Sequence, residues 1–436
     1  MLYELWRKVA TARRDELALR DAASGRSWAF GELFAAAEGA PVSDPARFNG
    51  MAFPQGHTPD FILALLAGWR DGRIVCPLEA GQLPPSVPLP PAPCAHLKMT
   101  SATTGAARLV AFTGEQLAAD AENIVATMGL RPDWPNLGVI SMAHSYGFSN
   151  LVLPLLLHGV PLIVCPSPLP EAVRRAAEGF AALTLPAVPA LWRAWHDAKA
   201  IPPNVRLAIS AGAPLPAACE EAVFAAHGLK IHNFYGSTEC GGIAYDASDT
   251  PRTHDAFIGT AVQGVTLAVN AGGCLVVRSR AVGATYWPEP SAELGGGVFD
   301  TRDLVELTEE KVFLRGRASD LINVAGRKVW PAIIEAELAE HPQVQACLVF
   351  GTSEGAGDRN DLIVACVVAK AAVTGDELRT FLLDKLPAWQ IPRAWLFVES
   401  LTGNQLGKIS RLEWRRKFLE EHHARWRDGE RLQPPT

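Results

Sequence analysis

Arg206-Leu-Ala-Ile-Ser-Ala-Gly-Ala-Pro-Leu-Pro-Ala-Ala-Cys-Glu-Glu-Ala-Val-Phe-Ala-Ala226 and, six residues further on, Asn233-Phe-Tyr-Gly-Ser-Thr-Glu239 decide the reading of the fold. Arg206–Ser210 reads as a buried strand, the Gly- and Pro-bearing stretch after it as a loop, and 217–226 as a helix. A second strand pattern then leads into Asn233. Working outward, apolar strands at Leu137–Met142, Pro161–Cys165 and Ala182–Leu185 alternate with helical stretches such as Glu115–Met128. Strand and helix in turn imply βαβ units and a largely parallel sheet, with loops and ligands gathered at the carboxyl edge of the strands.

In front of this region lie a short strand at Leu17–Leu19, a helix from Gly31, an apolar helix around Phe61–Trp69 and a strand end at Val75–Pro77. Pro84–Pro93 is dense in proline, which removes amide donors, so it reads as a loop. After Phe257 short β-rich pieces (Val265–Val269, Cys274–Arg278, Leu304–Leu307) separated by glycine turns suggest a small barrel-like subdomain over about 257–315. A new α+β unit then begins, with a strand at Asp320–Val324, a helix at Pro331–Glu340, strands at Val344–Phe350 and Leu362–Val368, and a helix from Asp376. The expectation is an α/β protein: a large N-terminal domain, 1–317, of mostly parallel sheet with helices, and a small C-terminal domain, 318–436, ending in a charged, solvated helix.

Composition sets outer bounds. At 436 residues the chain exceeds what one core organises, and 48% hydrophobic with 20% charged residues is ordinary for a folded chain. A net charge of -6 argues against non-specific attraction to nucleic acid or an anionic membrane. The eight cysteines contain no C-x-x-C pair, so they read as small buried hydrophobes in a reducing compartment. The first residues carry charges where a signal peptide needs an apolar core, and no apolar run is long enough to span a bilayer, which places the protein in the cytoplasm.

Six segments, forming four signals, carry chemistry. Met99-Thr-Ser-Ala-Thr-Thr-Gly-Ala-Ala-Arg108 gathers hydroxyls, a glycine and a cation on one turn, the donor set a triphosphate needs; alone it reads equally as a Ser/Thr-rich surface turn. Asn233–Glu239 brings an aromatic face, a small turn and a carboxylate together, able to stack a base and hold a hard cation. Phe299-Asp-Thr-Arg-Asp303, Gly316-Arg-Ala-Ser-Asp320 and Ala325-Gly-Arg-Lys-Val-Trp-Pro331 are turns with charges, each weak by itself. Gly403-Asn-Gln-Leu-Gly-Lys-Ile-Ser-Arg411 presents one lysine between apolar neighbours, suited to cancelling charge on a reacting carboxylate and phosphate.

In this order and spacing the segments resemble the adenylate-forming superfamily of acyl-CoA synthetases, adenylation domains of nonribosomal peptide synthetases and firefly luciferase, over nearly the whole chain. The resemblance implies that Thr100, Ser101, Thr103, Thr104, Gly105 and Arg108 bind phosphates, and that Asn233, Phe234, Tyr235, Gly236, Ser237 and Thr238, with Ala211, Gly212 and Ala213, line the nucleotide. It makes Glu239 the magnesium ligand, Asp303 and Arg317 the ribose contacts, Asp320 a hinge, and Ala325 and Gly326 the passage for a thiol. Lys408 becomes the mobile catalytic lysine and His144 a catalytic residue beside the acyl carboxylate. Tyr146, Phe148, Trp192 and Gly241 become pocket residues, to which Phe234 adds a ring. The chain departs from the pattern at Ala102, Ala107 and Arg108, where glycine, proline and lysine are usual, at Phe299–Asp303, and in a front region, 1–97, shorter than is typical.

The activity so implied uses ATP and Mg²⁺ to make an acyl adenylate with release of pyrophosphate, followed by transfer to CoA. A carrier-protein phosphopantetheine is the alternative acceptor, and a degenerate nucleotide-binding protein the reading of a different class. No acidic residue lies between Ile140 and Leu157, where amino-acid-activating relatives anchor an ammonium, so an acyl or aryl acid is expected.

Overall fold

The computed structural model describes residues 1–40, 50–100, 108–353, 361–401 and 410–427. Two compact units emerge. The first runs through Thr301 and adds Glu306–Phe313; the second takes Arg302–Val305 and everything from Leu314 onward.

In the first unit six parallel strands stand side by side in the order Ile231–Ser237, Val205–Ser210, Leu183–Ala187, Asn136–Gly138, Leu162–Val164, Leu17–Asp21. The four inner strands are buried along almost their whole length, as strands covered on both faces must be. Crossover helices end where their sequences tell them to: Gly114–Met128 opens on a Thr113–Gln116 capping box and stops at Gly129 (φ 64°). Beyond Ile231–Ser237 the pairing turns antiparallel through Gly241–Tyr245 and Phe257–Ala261. The path then runs through Lys311–Arg317, Val298–Thr308 and Cys274–Ser279 to Val265–Val269. The β-rich pieces therefore extend the parallel sheet instead of standing apart from it, and the hydrogen-bonded path is open at both ends among the described residues.

A second sheet orders Thr285–Trp287, Leu109–Thr113, Cys94–Met99, Ile74–Val75 and Met51–Ala52. Its core is Met51, Ile74, Cys76, Leu78, Leu97, Leu109 and Ala111. Trp287 joins this cluster and donates its ring N–H to the Pro88 carbonyl at 2.7 Å, which pins the proline-dense loop.

The second unit is a three-stranded sheet, Val344–Ser353, Asp361–Ala369 and Ala394–Phe397. Period-two alternation divides its middle strand. Ile363, Ala365 and Val367 meet the helices Pro331–Ala339 and Gly375–Leu383, whereas Leu362, Val364 and Cys366 meet Trp414 and Phe418 of the helix Arg411–Arg427. That last helix is thus anchored by two buried rings, where its charges alone suggest a solvated one.

Two strand expectations shift for physical reasons. The strand expected at 137–142 pairs only over Asn136–Gly138, because the chain then leaves the sheet to form the loop that holds Ser141 and His144. Asp320 closes a 3₁₀ turn, Ala318–Asp320, ahead of the strand Ile322–Val324. No helix among the described residues is long and apolar enough to cross a membrane.

Candidate nucleotide and acyl site

The carboxyl ends of Leu183–Ala187 and Val205–Ser210 meet in one polar contact. The Tyr146 hydroxyl donates to the carbonyls of Ala187 and Ile209, at 3.3 and 3.4 Å, and burial pushes that hydroxyl's pKa up. Its ring stands 6.1 Å from Phe234. The Trp192 ring N–H reaches the same Ile209 carbonyl at 3.2 Å. Trp192 has no exposed surface and packs edge-on against Trp195, while Phe148, also buried, lies 4.4 Å from the ring of His96. Trp192 and Phe148 are therefore core side chains, and of the four expected pocket positions Tyr146 alone retains exposed side chain.

Gly241, the fourth position, is glycine for a reason the chain itself supplies. Its φ is 69°, and an added Cβ would lie 1.9 Å from Asp120 Oδ1. Asp120 is buried; it accepts from the Ser149 hydroxyl at 2.6 Å and the Gly242 amide at 3.2 Å, and faces Lys98 Nζ at 3.6 Å. Lys98 also donates to Ser149 and sits 4.9 Å over the Phe112 ring. His96, on the same strand as Lys98, is wholly buried, and neither ring nitrogen has a hydrogen-bond partner among the described residues. Burial, and then the Lys98 charge, hold its pKa well below 6.5.

His144 is half-buried and directly precedes the turn Ser145–Gly147, whose next amide, Phe148 N, it accepts at 2.8 Å. Ser141, three residues earlier, donates to Glu79 Oε1 at 2.7 Å. Sequence reading missed Glu79, since it arrives from the other sheet with no local signal. The loop after Val205–Ser210 holds Ala211, Gly212 (φ 87°) and Ala213. Its end is clasped by Arg252, which donates to the Leu215 carbonyl at 2.6 Å while paired with the fully buried Glu220 at 2.7 Å. Lys230 bridges Glu220 to Asp246, completing a buried charge-balanced cluster.

Asn233, Phe234, Tyr235, Gly236 and Ser237 occupy the end of their strand, and Thr238 and Glu239 the turn that follows. Glu239 Oε1 accepts from the Tyr286 hydroxyl at 3.0 Å, and no hydrogen bond from the described residues reaches its other oxygen. The Tyr286 ring in turn carries the Arg108 guanidinium 3.8 Å from its centroid. One half-buried carboxylate with an oxygen to spare suits Mg²⁺, which is normally held by one or two carboxylates plus substrate phosphates. No cluster of three or more His, Cys, Asp or Glu side chains occurs among the described residues. Thr100 accepts the Arg108 amide at 2.9 Å, joining the two ends of the segment expected to bind phosphate. Ser101, Thr103, Thr104 and Gly105, with Ala102 and Ala107, lie outside the described residues, as does Lys408.

In the second unit Arg317 donates to Asp303 Oδ1 at 2.9 Å, so the two expected ribose contacts meet each other. Asp320 accepts from Arg411 at 2.9 Å; the same guanidinium grips both oxygens of Glu335 and donates to the Val349 carbonyl at 3.1 Å. Ala325 (φ 51°) and Gly326 (φ 82°) form the two-residue turn between Ile322–Val324 and Arg327–Val329. Positive φ at both positions is what such a hairpin demands; Gly326 adopts it without steric cost, whereas Ala325 holds it against its own Cβ.

Residues 64–287 match the model of the AMP-binding enzyme family, and 333–408 match the AMP-binding enzyme C-terminal domain. The chain belongs to the AMP-binding enzyme family. It is therefore an adenylate-forming ligase, consistent with the motifs that first suggested it. Among the family's curated members, a feruloyl-CoA synthase of Amycolatopsis sp is 28% identical over 409 residues, covering 87% of this chain and 82% of that protein. An anthranilate–CoA ligase of Pseudomonas aeruginosa is 28% identical over 359 residues, 74% of this chain and 67% of that one. Among solved family folds, ATP-bound MatB of Rhodopseudomonas palustris superposes with a TM-score of 0.83 at 21% identity, covering 97% of this chain and 100% of that chain. The O-succinylbenzoate Coenzyme A synthetase of Bacillus subtilis with ATP and magnesium superposes at 0.79 and 18% identity, covering 94% and 98%.

Proposed function

We propose that this ligase activates an acyl or aryl carboxylic acid with ATP and passes the acyl group to CoA. A carboxylate oxygen attacks the α-phosphorus, the bond to pyrophosphate breaks, and a thiolate then attacks the acyl carbon of the mixed anhydride as AMP leaves. Two anions must approach in the first step, so charge placement dominates the barrier. The observation that supports this reading most is the presence, within one unit, of a phosphate-side cation, Arg108, and a carboxylate suited to Mg²⁺, Glu239, each in contact with Tyr286. Mg²⁺ at Glu239 would offset charge on the phosphates. Arg108 and the Thr100–Gly105 donors would receive the leaving pyrophosphate, and Lys408 would neutralise the entering carboxylate. His144 would border the acyl carbon, Asp303 and Arg317 the ribose, and Asp320 would serve as the hinge.

CoA as acceptor follows the names of the relatives, feruloyl-CoA synthase and anthranilate–CoA ligase among them. Those names, and the absence of an acidic residue between Ile140 and Leu157, favour an aryl or acyl acid. Acid-dependent exchange of pyrophosphate into ATP, with a panel of benzoates, cinnamates, aminobenzoates, fatty acids and amino acids, tests the first half-reaction whatever the acceptor. Thioester formation with CoA against holo-carrier protein tests the second. Exchange with an aryl or acyl acid and thioester on CoA is the expected result; exchange with amino acids only, or with nothing, overturns the reading.

A further inference from the structure

Arg108 stands where the family's phosphate loop usually carries lysine, and the structure shows what the arginine rests on. The strand Thr285–Trp287 pairs antiparallel with Leu109–Thr113, setting Tyr286 opposite Val110. Arg108 lies two positions before Val110, so its side chain rises on the same face and reaches diagonally onto the Tyr286 ring, the separation at which long side chains meet across strands. The guanidinium carbon is 3.8 Å from the ring centroid. At its far end the same phenol donates to Glu239 Oε1 at 3.0 Å.

The ring is held firmly. Tyr286 is 2% exposed. Just before it, Gly283 N donates to the Glu239 carbonyl and Ala284 N to the Ala111 carbonyl, both at 2.8 Å, so the main chain is fastened to the Glu239 turn and to the strand that starts beside Arg108. Gly283 permits this closeness: a Cβ there would come within 2.6 Å of Val110 Cγ1.

We propose that Tyr286 is a positioning residue that spaces the phosphate-side cation from the magnesium-holding carboxylate, keeping Arg108 and Glu239 near one another without letting them pair. No ion pair joins those two side chains among the described residues. Stacking suits arginine because it uses the face of the guanidinium and leaves the N–H fork, which lies in the plane, pointing outward to phosphate oxygens. The hydroxyl occupies one carboxylate oxygen and aims the other. This inference rests on the assignment of Glu239 and Arg108 to Mg²⁺ and phosphate in the proposed function.

The experiment is calorimetric binding of α,β-methylene ATP to the full chain, with and without Mg²⁺, which requires no turnover. Tyr286→Phe keeps the ring, and with it the Arg108 stack, but loses the bond to Glu239. The Mg²⁺ concentration that half-maximally strengthens binding should rise about tenfold, the cost of one hydrogen bond to a charged group, while affinity for the metal-free nucleotide stays at the wild-type value. Arg108→Lys should do the reverse, weakening metal-free and metal-bound nucleotide alike with an unchanged Mg²⁺ midpoint. Tyr286→Leu should weaken both, because the freed arginine can then collapse onto Glu239. Thermal melting of Tyr286→Phe, which conserves volume, checks that it remains folded.

An unchanged Mg²⁺ midpoint in Tyr286→Phe, with wild-type protein binding the nucleotide, overturns this inference alone. Equal weakening with and without Mg²⁺ in that variant also overturns it, since that is what a merely structural tyrosine would do. Wild-type protein that binds no nucleotide overturns the proposed function and this inference with it.

Discussion

Replacing Gly241 by alanine should damage the first unit severely. The added Cβ would lie 1.9 Å from Asp120 Oδ1 and 2.3 Å from its Cγ, so the carboxylate must leave. It would abandon Ser149, the Gly242 amide and Lys98, all buried with it. Separating one partner of a buried pair costs about 3–5 kcal/mol, and an alanine at φ 69° adds about 1–2 kcal/mol. A total of about 4–7 kcal/mol is comparable with the whole stability of many domains, about 5–15 kcal/mol. Because the chain has two units, hydrogen exchange in the helix Gly114–Met128 and the strand Gly241–Tyr245 reads the first unit separately. Protection there should collapse in Gly241→Ala. In a Lys98→Met, Asp120→Ala background, where neither charge nor clash remains, the same change should cost only the backbone part, about 1–2 kcal/mol. Equal costs in both backgrounds would refute the steric and electrostatic account.

Two further outcomes follow from buried polar groups. His96 is held neutral by burial, with a folded pKa well below 6.5, so between those values the unfolded chain binds a proton that the folded one does not. Its contribution is intact above pH 6.5 and is lost as pH falls, with a limiting slope of about 1.4 kcal/mol per pH unit. Urea unfolding of His96→Phe between pH 7 and 5 should show a shallower acid decline than wild type, and parallel curves would count against the assignment. Arg411→Met strands Asp320 and Glu335 close together without their shared cation, which should destabilise the second unit by about 2–3 kcal/mol. Exchange should quicken in the strand Val344–Ser353, whose Val349 carbonyl Arg411 also holds; unchanged protection would show that the guanidinium carries little.

Sequence pattern reached the elements well where one periodicity ruled. The strand expected at Leu362–Val368 appears as Asp361–Ala369, and the helix expected at Glu115–Met128 as Gly114–Met128. It failed at Val139–Met142, where apolar residues continue past the end of strand pairing, because a run of hydrophobics cannot say whether it meets a sheet or a loop's underside. It also judged the last helix by its charges and overlooked Trp414 and Phe418. At the site, motif order led to the Asn233–Glu239 turn and to Asp303 with Arg317, which meet in space. Tyr286, Glu79 and the Lys98–Asp120–Ser149 group were invisible, since their partners lie tens of residues away in the chain and come together only in the folded unit.

The eight cysteines, all free and none of them on the exposed surface, have a practical sequel. Burial pushes Cys76 and Cys347 up to about 12 and raises Cys94, Cys165, Cys219 and Cys240 as well, so at neutral pH almost no thiolate is on offer from these six. Maleimide dyes should pass over them in the folded protein. A single surface cysteine engineered into each unit could thus be labelled selectively in the otherwise natural chain, and energy transfer between the two dyes would measure the separation of the units with and without nucleotide.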